Sequence, residues 1–359
     1  KGMAGAGQNE EGRGAVVGNG IGECDLPVGD TAVDDFDCCV NAGDRLGHLG
    51  VARTAAPWAL NLPAMGEAAA FTANDYKALV CVFLYGGNDH GNTVIPYDSN
   101  GHAEYLQVRE SLAIARAQLG ATALGGSGLP DGRQYALAPQ LAPLKPLFDA
   151  GQLAIQLNVG PLLQPTTLTQ YEARSVPLPP KLFSHNDQQS VWQSSGAEGE
   201  VKGWGGRLGD LALSSNSGNA LFTCMSVTGN AVFLSGDQAL AYQIGESGAI
   251  AVQGVTDTQD GMYGAAACRA ALRTLITQER SNLLENELNR IASRSIASHE
   301  KLAVALAGSE GSFDTMLPNE ADGRRQTLNR QLKMVARLIA ARNALGLKRQ
   351  VFLVSLGGF

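Results

Sequence analysis

Residues 77–96 read KALVCVFLYGGNDHGNTVIP, and this stretch decides how the rest of the chain is understood. Positions 78–85 form a continuous apolar run closed by Gly86-Gly87, the pattern of a strand buried on both faces of a sheet. Asn88, Asp89, His90 and Asn92 follow at once. Two readings arise from those residue types. Asn and Asp bond their own backbone, so the stretch makes a good tight turn. Glycines also let a ligand approach closely, and a carboxylate just beyond them suits a hard or borderline divalent cation, with His90 and Asn92 as further ligands or anion-orienting groups.

Working outward, 138–151 (APQLAPLKPLFDAG) carries Leu141, Leu144, Leu147 and Phe148 at helical spacing, with prolines that imply short or irregular turns. Residues 152–160 (QLAIQLNVG) read as the next strand. Strand, helix, strand in that order predicts an α/β protein with a parallel or mixed sheet and helices packed on it. Segments 185–195 and 203–213 read as two helices about a glycine-rich bend, and 220–227 and 231–236 as strands. A solvated helical stretch covers 262–308, with Leu283, Leu284, Leu288 and Ile291 as its buried stripe. An amphipathic helix follows over 324–346, with Leu328, Leu332, Val335, Leu338 and Ile339 on its apolar face. Residues 349–359 (RQVFLVSLGGF) open another buried strand, again with Gly-Gly at its C-terminal end, the sheet edge where α/β proteins bind ligands. A strand that stops there reads as a chain ending before its sheet neighbours, or as a genuine C-terminal strand.

Composition narrows the function classes. The chain has 359 residues, 27 Lys+Arg against 34 Asp+Glu and a net charge of -7, so general nucleic-acid binding lacks its electrostatic support. No run of roughly 18 apolar residues predicts a membrane span. Residues 1–50 are rich in glycine and acidic residues without periodicity, and are expected to hold little stable structure. Residues 51–75 form an arm whose portion 54–71 (TAAPWALNLPAMGEAAAF) reads either as an ordered arm or as the tail of an export signal, with no twin-arginine pair before it. The domain proper is assigned to 76–359. Six cysteines, at 24, 38, 39, 81, 224 and 268, form no C-x-x-C pair.

Two further clusters carry possible chemistry. In 181–195 (KLFSHNDQQSVWQSS) Ser184 is placed as a helix N-cap with Asp187 three residues on, a capping-box-like arrangement. His185 then sits at the first helical position, in a field that favours an anion, and the Ser184 hydroxyl there is a nucleophile if a metal lowers its pKa. In 203–210 (GWGGRLGD) Arg207 emerges from a glycine turn, either to clamp an anion or to pair with Asp210 or Glu198 on the surface. Neither a phosphate-binding loop, a dinucleotide fingerprint nor a G-x-S-x-G elbow occurs.

Taken in order, FLYGGNDHGNTVIP, FSHNDQQSVWQS, GWGGRLGD and VFLVSLGGF resemble a bacterial family of exported proteins called domain of unknown function 1501, commonly carrying a twin-arginine signal. The resemblance covers about 50–359. It implies an alkaline phosphatase-like α/β/α sandwich with a mixed, mainly parallel sheet, incomplete at the C-terminus. By that resemblance the protein is a periplasmic or secreted metal-dependent hydrolase of small phosphate or sulfate esters. Asp89 matches a ligand of a divalent zinc, calcium or manganese ion, Ser184 or His185 the nucleophile region, and Asn88 and Arg207 steady the anion. The family's Asp-Thr-His and later Asp-His motifs follow Gly-Gly-Phe, so the expectation is that this chain neither retains the metal nor turns over such esters. The alternative is a non-catalytic envelope or secretion-associated scaffold.

Overall fold

The computed structural model describes residues 15–16, 75–125, 129–157, 159–196, 198–216, 218–256, 265–319 and 323–358. The readings of 1–50 and of the arm before Asp75 lie outside them, except at 15–16. In chain order the strands are β1 (Ala15–Val16), β2 (Lys77–Leu84), β3 (Val94–Pro96), β4 (Tyr135–Leu137), β5 (Gln156–Leu157), β6 (Cys224–Ser226), β7 (Ala241–Gln243) and β8 (Arg349–Leu356). The helices are α1 (Ser99–Arg109), α2 (Lys145–Asp149), α3 (Leu168–Glu172), α4 (His185–Ser194), α5 (Trp204–Ala212), α6 (Ala266–Thr277), α7 (Leu283–Leu306) and α8 (Gly323–Ala340). They fall into two compact units, one built on Leu84–Glu200 and the other on Ala69–Phe83 with Val201–Gly357.

The second unit holds a four-stranded sheet in the order β2-β8-β6-β7, with β6 parallel to both β7 and β8. β8 is its buried centre. Alternate side chains of a strand face opposite ways, and Phe352 and Val354 meet Leu302 and Leu306 of α7 and Met334, Val335 and Leu338 of α8. Val351 and Leu353 meet Phe233, Leu234, Trp204 and Leu208 on the other face. Helices therefore cover both faces of a mainly parallel sheet, as the α/β reading requires. Asn216, fully buried, ties the strand starts together. Its amide donates to Thr223 Oγ1 (2.8 Å) and the Arg349 carbonyl (2.6 Å), and its oxygen accepts from the N–H groups of Lys348 (2.8 Å) and Arg349 (3.1 Å).

Several expectations are corrected. Among the described strands β8 alone flanks β2, which is an edge strand, half-buried with exposed ends. Among the described residues of 152–160 the strand is β5 alone, and it pairs antiparallel with β1 outside the four-stranded sheet. Segment 231–236 is a single 3-10 turn, Val232–Leu234, over which α5 packs. In α7 the residues that reach the core are Ile296, Leu302 and Leu306, from the C-terminal half. Leu283, Leu284, Leu288 and Ile291 are 82, 81, 64 and 46% exposed. The expected face of α8 holds, with Val335 and Leu338 in the core.

The first unit is built on the β3–β4 antiparallel pair, register Val94↔Leu137. Ile95, Ala136, Leu119 and Tyr105 pack on one side and Val94 with Leu137 on the other. The prolines of 138–151 act as expected: a 3-10 segment, Pro139–Leu144, runs into the five-residue α2, which is capped at Ala150 and followed by Gly151 with φ 70°. Among the described residues no helix is long and apolar enough to cross a membrane.

Candidate functional site

After β2, Gly86 turns the chain with φ 95° and His90–Asn92 forms one 3-10 turn. Asn88 contributes its carbonyl, which accepts the His90 N–H at 2.9 Å. Asp89 precedes the turn, but its carboxylate caps nothing and is ion-paired to Arg109 at the end of α1. Asn92 accepts from the Tyr105 hydroxyl (2.5 Å) and donates to the Leu112 carbonyl (2.9 Å), pinning the loop to α1. The knot of polar side chains is thus a bonded turn, with Asp89 at its exposed rim. His90 is exposed beside it.

Ser184 is the N-cap of α4, and its Oγ accepts the Asp187 N–H at 3.4 Å. The reciprocal half of a capping box is replaced: the buried Asp187 carboxylate accepts instead from the Glu198 N–H at 3.4 Å. The hydrogen bond from the Ser184 side chain is the chief reason that carboxyl lies below its usual 3.8. Burial opposes it, and the Glu198 amide and Lys181 ammonium act with it. Lys181 Nζ is 3.6 Å from Asp187 and 4.0 Å from Glu198, on a residue with φ 43°. The other Asp187 oxygen is buried without a hydrogen-bond donor. His185 takes the first helical position, exposed to solvent.

Arg207 belongs to the second unit and lies within α5, exposed, its N–H bonded to the Gly203 carbonyl at 3.1 Å. The glycine-turn expectation is corrected here. The glycines are a helix face that permits close packing: a Cβ at Gly203 or Gly206 would run into the backbone of Val232–Phe233 or Ser235, and one at Gly209 into Cys224 Sγ. Nor is Asp210 the partner of Arg207. Its carboxylate accepts from the N–H groups of Asp237 (2.7 Å), Gln238 (2.8 Å) and Ala239 (2.6 Å), closing the turn before β7.

Asp89 and Ser184 thus engage different partners, Arg109 in one case and Asp187 in the other. Among the described residues no three His, Cys, Asp or Glu side chains form a group able to hold a metal ion. Lys181 and Arg109 were missed from sequence. Lys181 stands three residues before Ser184, a spacing open to notice, whereas Arg109 meets Asp89 from a separate helix. No family model, curated protein or solved structure matches the chain.

Proposed function

We propose that the chain is an exported hydrolase-type protein of alkaline phosphatase-like architecture that receives phosphate or sulfate esters at Ser184. One observation carries this reading: the Ser184 hydroxyl is the N-cap of α4, fixed there by the backbone N–H of Asp187, whose carboxylate is buried at the same turn. The hydroxyl oxygen accepts the Asp187 N–H through one lone pair and keeps the other for an electrophilic phosphorus or sulfur. The depressed pKa makes Asp187 a positioning group and a weak base. His185, exposed at the helix start, and Lys181 supply donors and positive charge for the anion, with Asn88 assigned to the same task by resemblance. The reading also assigns a divalent ion to Asp89. The described residues do not fit that ion, since Arg109 holds the carboxylate and no three-donor group is present among them, and no step is derived through it.

Titration calorimetry with orthovanadate and with sulfate tests the proposal. Wild type is expected to bind, and Ser184→Ala and His185→Ala are each expected to weaken binding at least tenfold. Wild type that binds neither anion, or a Ser184→Ala variant that binds as wild type does, overturns it. The scaffold reading is favoured by a different observation, that Asp89 and Ser184 are both engaged in bonds that hold the fold. A folded, metal-free protein that ignores both anions is what that reading expects.

A further inference from the structure

The seam along α7 begins in solvent and ends in the core. Leu284, Leu288, Ile291 and Ser295 recur at alternating spacings of four and three, and Ser298, Leu302 and Ala305 continue the pattern, the a/d positions of a heptad repeat. Ser298 and Leu302 are buried, at 8 and 0% exposure. Leu284, Leu288 and Ile291 are exposed, with Leu283 beside them. About 12 Å of helix, from Leu283 to Ile291 at 1.5 Å per residue, therefore carries an apolar ridge into water.

We propose that this ridge is the self-complementary face of a homodimer, in which α7 of two copies pairs antiparallel about a two-fold axis near 289 and 290. That axis sets Leu288 against the partner's Ile291 and Leu284 against the partner's Ser295, the alternate a-to-d layers of an antiparallel pair. Charge decides for a second copy in this direction. Glu287 and Arg294 flank the seam on one side, each one position before an a residue, and both are exposed. Antiparallel pairing brings Glu287 to the partner's Arg294, and two-fold symmetry repeats the ion pair. A parallel pairing would oppose Glu287 to Ala292 and form neither. Within one chain Glu287 already accepts from Arg290 at 2.9 Å, a bond that pairing with the partner's Arg294 would share or replace.

The ridge is short, so the dimer is a weak one that forms as concentration rises. Sedimentation velocity of the full chain at low salt, across the micromolar range, reads it directly. Wild type is expected to pass from monomer to dimer, and Leu288→Glu to remain monomeric with an unchanged circular dichroism spectrum. Glu287→Arg and Arg294→Glu are each expected to weaken association at least tenfold, and the double variant to restore it, because the swapped charges face each other again. A wild type that stays monomeric overturns the proposal. So does a dimer indifferent to Leu288→Glu, or a double variant no better than the singles.

Discussion

The Asp89 carboxylate is ion-paired to the Arg109 guanidinium, joining the turn after β2 to the end of α1. The partners are unequal: the Arg109 side chain is 18% exposed and that of Asp89 is 46% exposed. Removing the carboxylate leaves a largely buried cation short of a partner. Asp89→Ala is expected to cost about 1 kcal/mol of unfolding free energy by urea titration. Arg109→Ala is expected to cost more, because its buried stem is lost with its charge. A wild-type-like Arg109→Ala would show that the pair holds nothing.

Gly206→Ala offers a sharper contrast. Alanine usually improves a helix interior by about 1 kcal/mol over glycine. At Gly206 the added Cβ collides with the Ser235 backbone, which has no flexible end to swing aside. Overpacking of this kind costs about 1–3 kcal/mol, so the variant is expected to be less stable despite its better propensity. Gly87→Ala, with nothing within 4 Å of the new atom, is expected to stay within about 0.5 kcal/mol of wild type.

Asn216 is expected to be among the costliest polar positions to change. Asn216→Ala strips partners from the Lys348 and Arg349 amides at the entry to β8 and from Thr223 before β6. With each lost buried bond worth about 1 kcal/mol, a loss of about 2–4 kcal/mol should appear in chemical denaturation. Asn216→Asp keeps the acceptor but brings a buried charge, so it is not expected to rescue.

These positions show what the sequence carried and what it withheld. Continuous apolar runs and helical spacing marked β2, β8 and α8, since those patterns follow from local geometry. Whether a run lies at the centre or edge of a sheet depends on its neighbours, and so β2, with the more regular apolar run, is the edge while β8 is the core. The α7 stripe was misplaced for a related reason: periodicity shows that Leu284, Leu288 and Ile291 share a face, and is silent on what that face meets. At the candidate site the N-cap Ser184 was legible because capping is local. The partners of Asp89 and Asp210 were not, because Arg109 and the amides of 237–239 arrive from distant chain.

Thiol chemistry should sort the described cysteines. Burial pushes the thiol of Cys81 up to about 11 and that of Cys224 up to about 12, the latter with help from the Asp210 charge, while Cys268 is exposed. The thiolate is the reacting species, so at pH 8 iodoacetamide is expected to modify Cys268 in the folded protein. Cys81 and Cys224 should react only when urea unfolds the chain. Peptide mapping by mass spectrometry distinguishes the sites, and prompt labelling of Cys224 under native conditions would contradict its burial behind α5.

The acid limb of stability should carry the signature of Asp187. Its carboxyl is held below 3.8 chiefly by the Ser184 hydroxyl, with the Glu198 amide and Lys181 assisting against burial. A carboxyl depressed in the folded state binds its proton less readily than in the unfolded chain. Its stabilisation is therefore complete above the unfolded value, near 3.8, and is lost as pH falls through the lower folded value. Asp187→Asn removes that titration, so the stability difference between wild type and variant should be constant from pH 7 to about 5 and shrink below about pH 4. Ser184→Ala, which deletes the largest cause, should shift the wild-type acid limb to higher pH. Asp75, Asp237 and Glu300 are also held low by cationic partners, so the acid limb persists in every variant and the quantity to read is the difference. A difference that stays flat to pH 2 would mean that Asp187 titrates alike in the folded and unfolded chain, and Ser184 would then be a helix cap and nothing more.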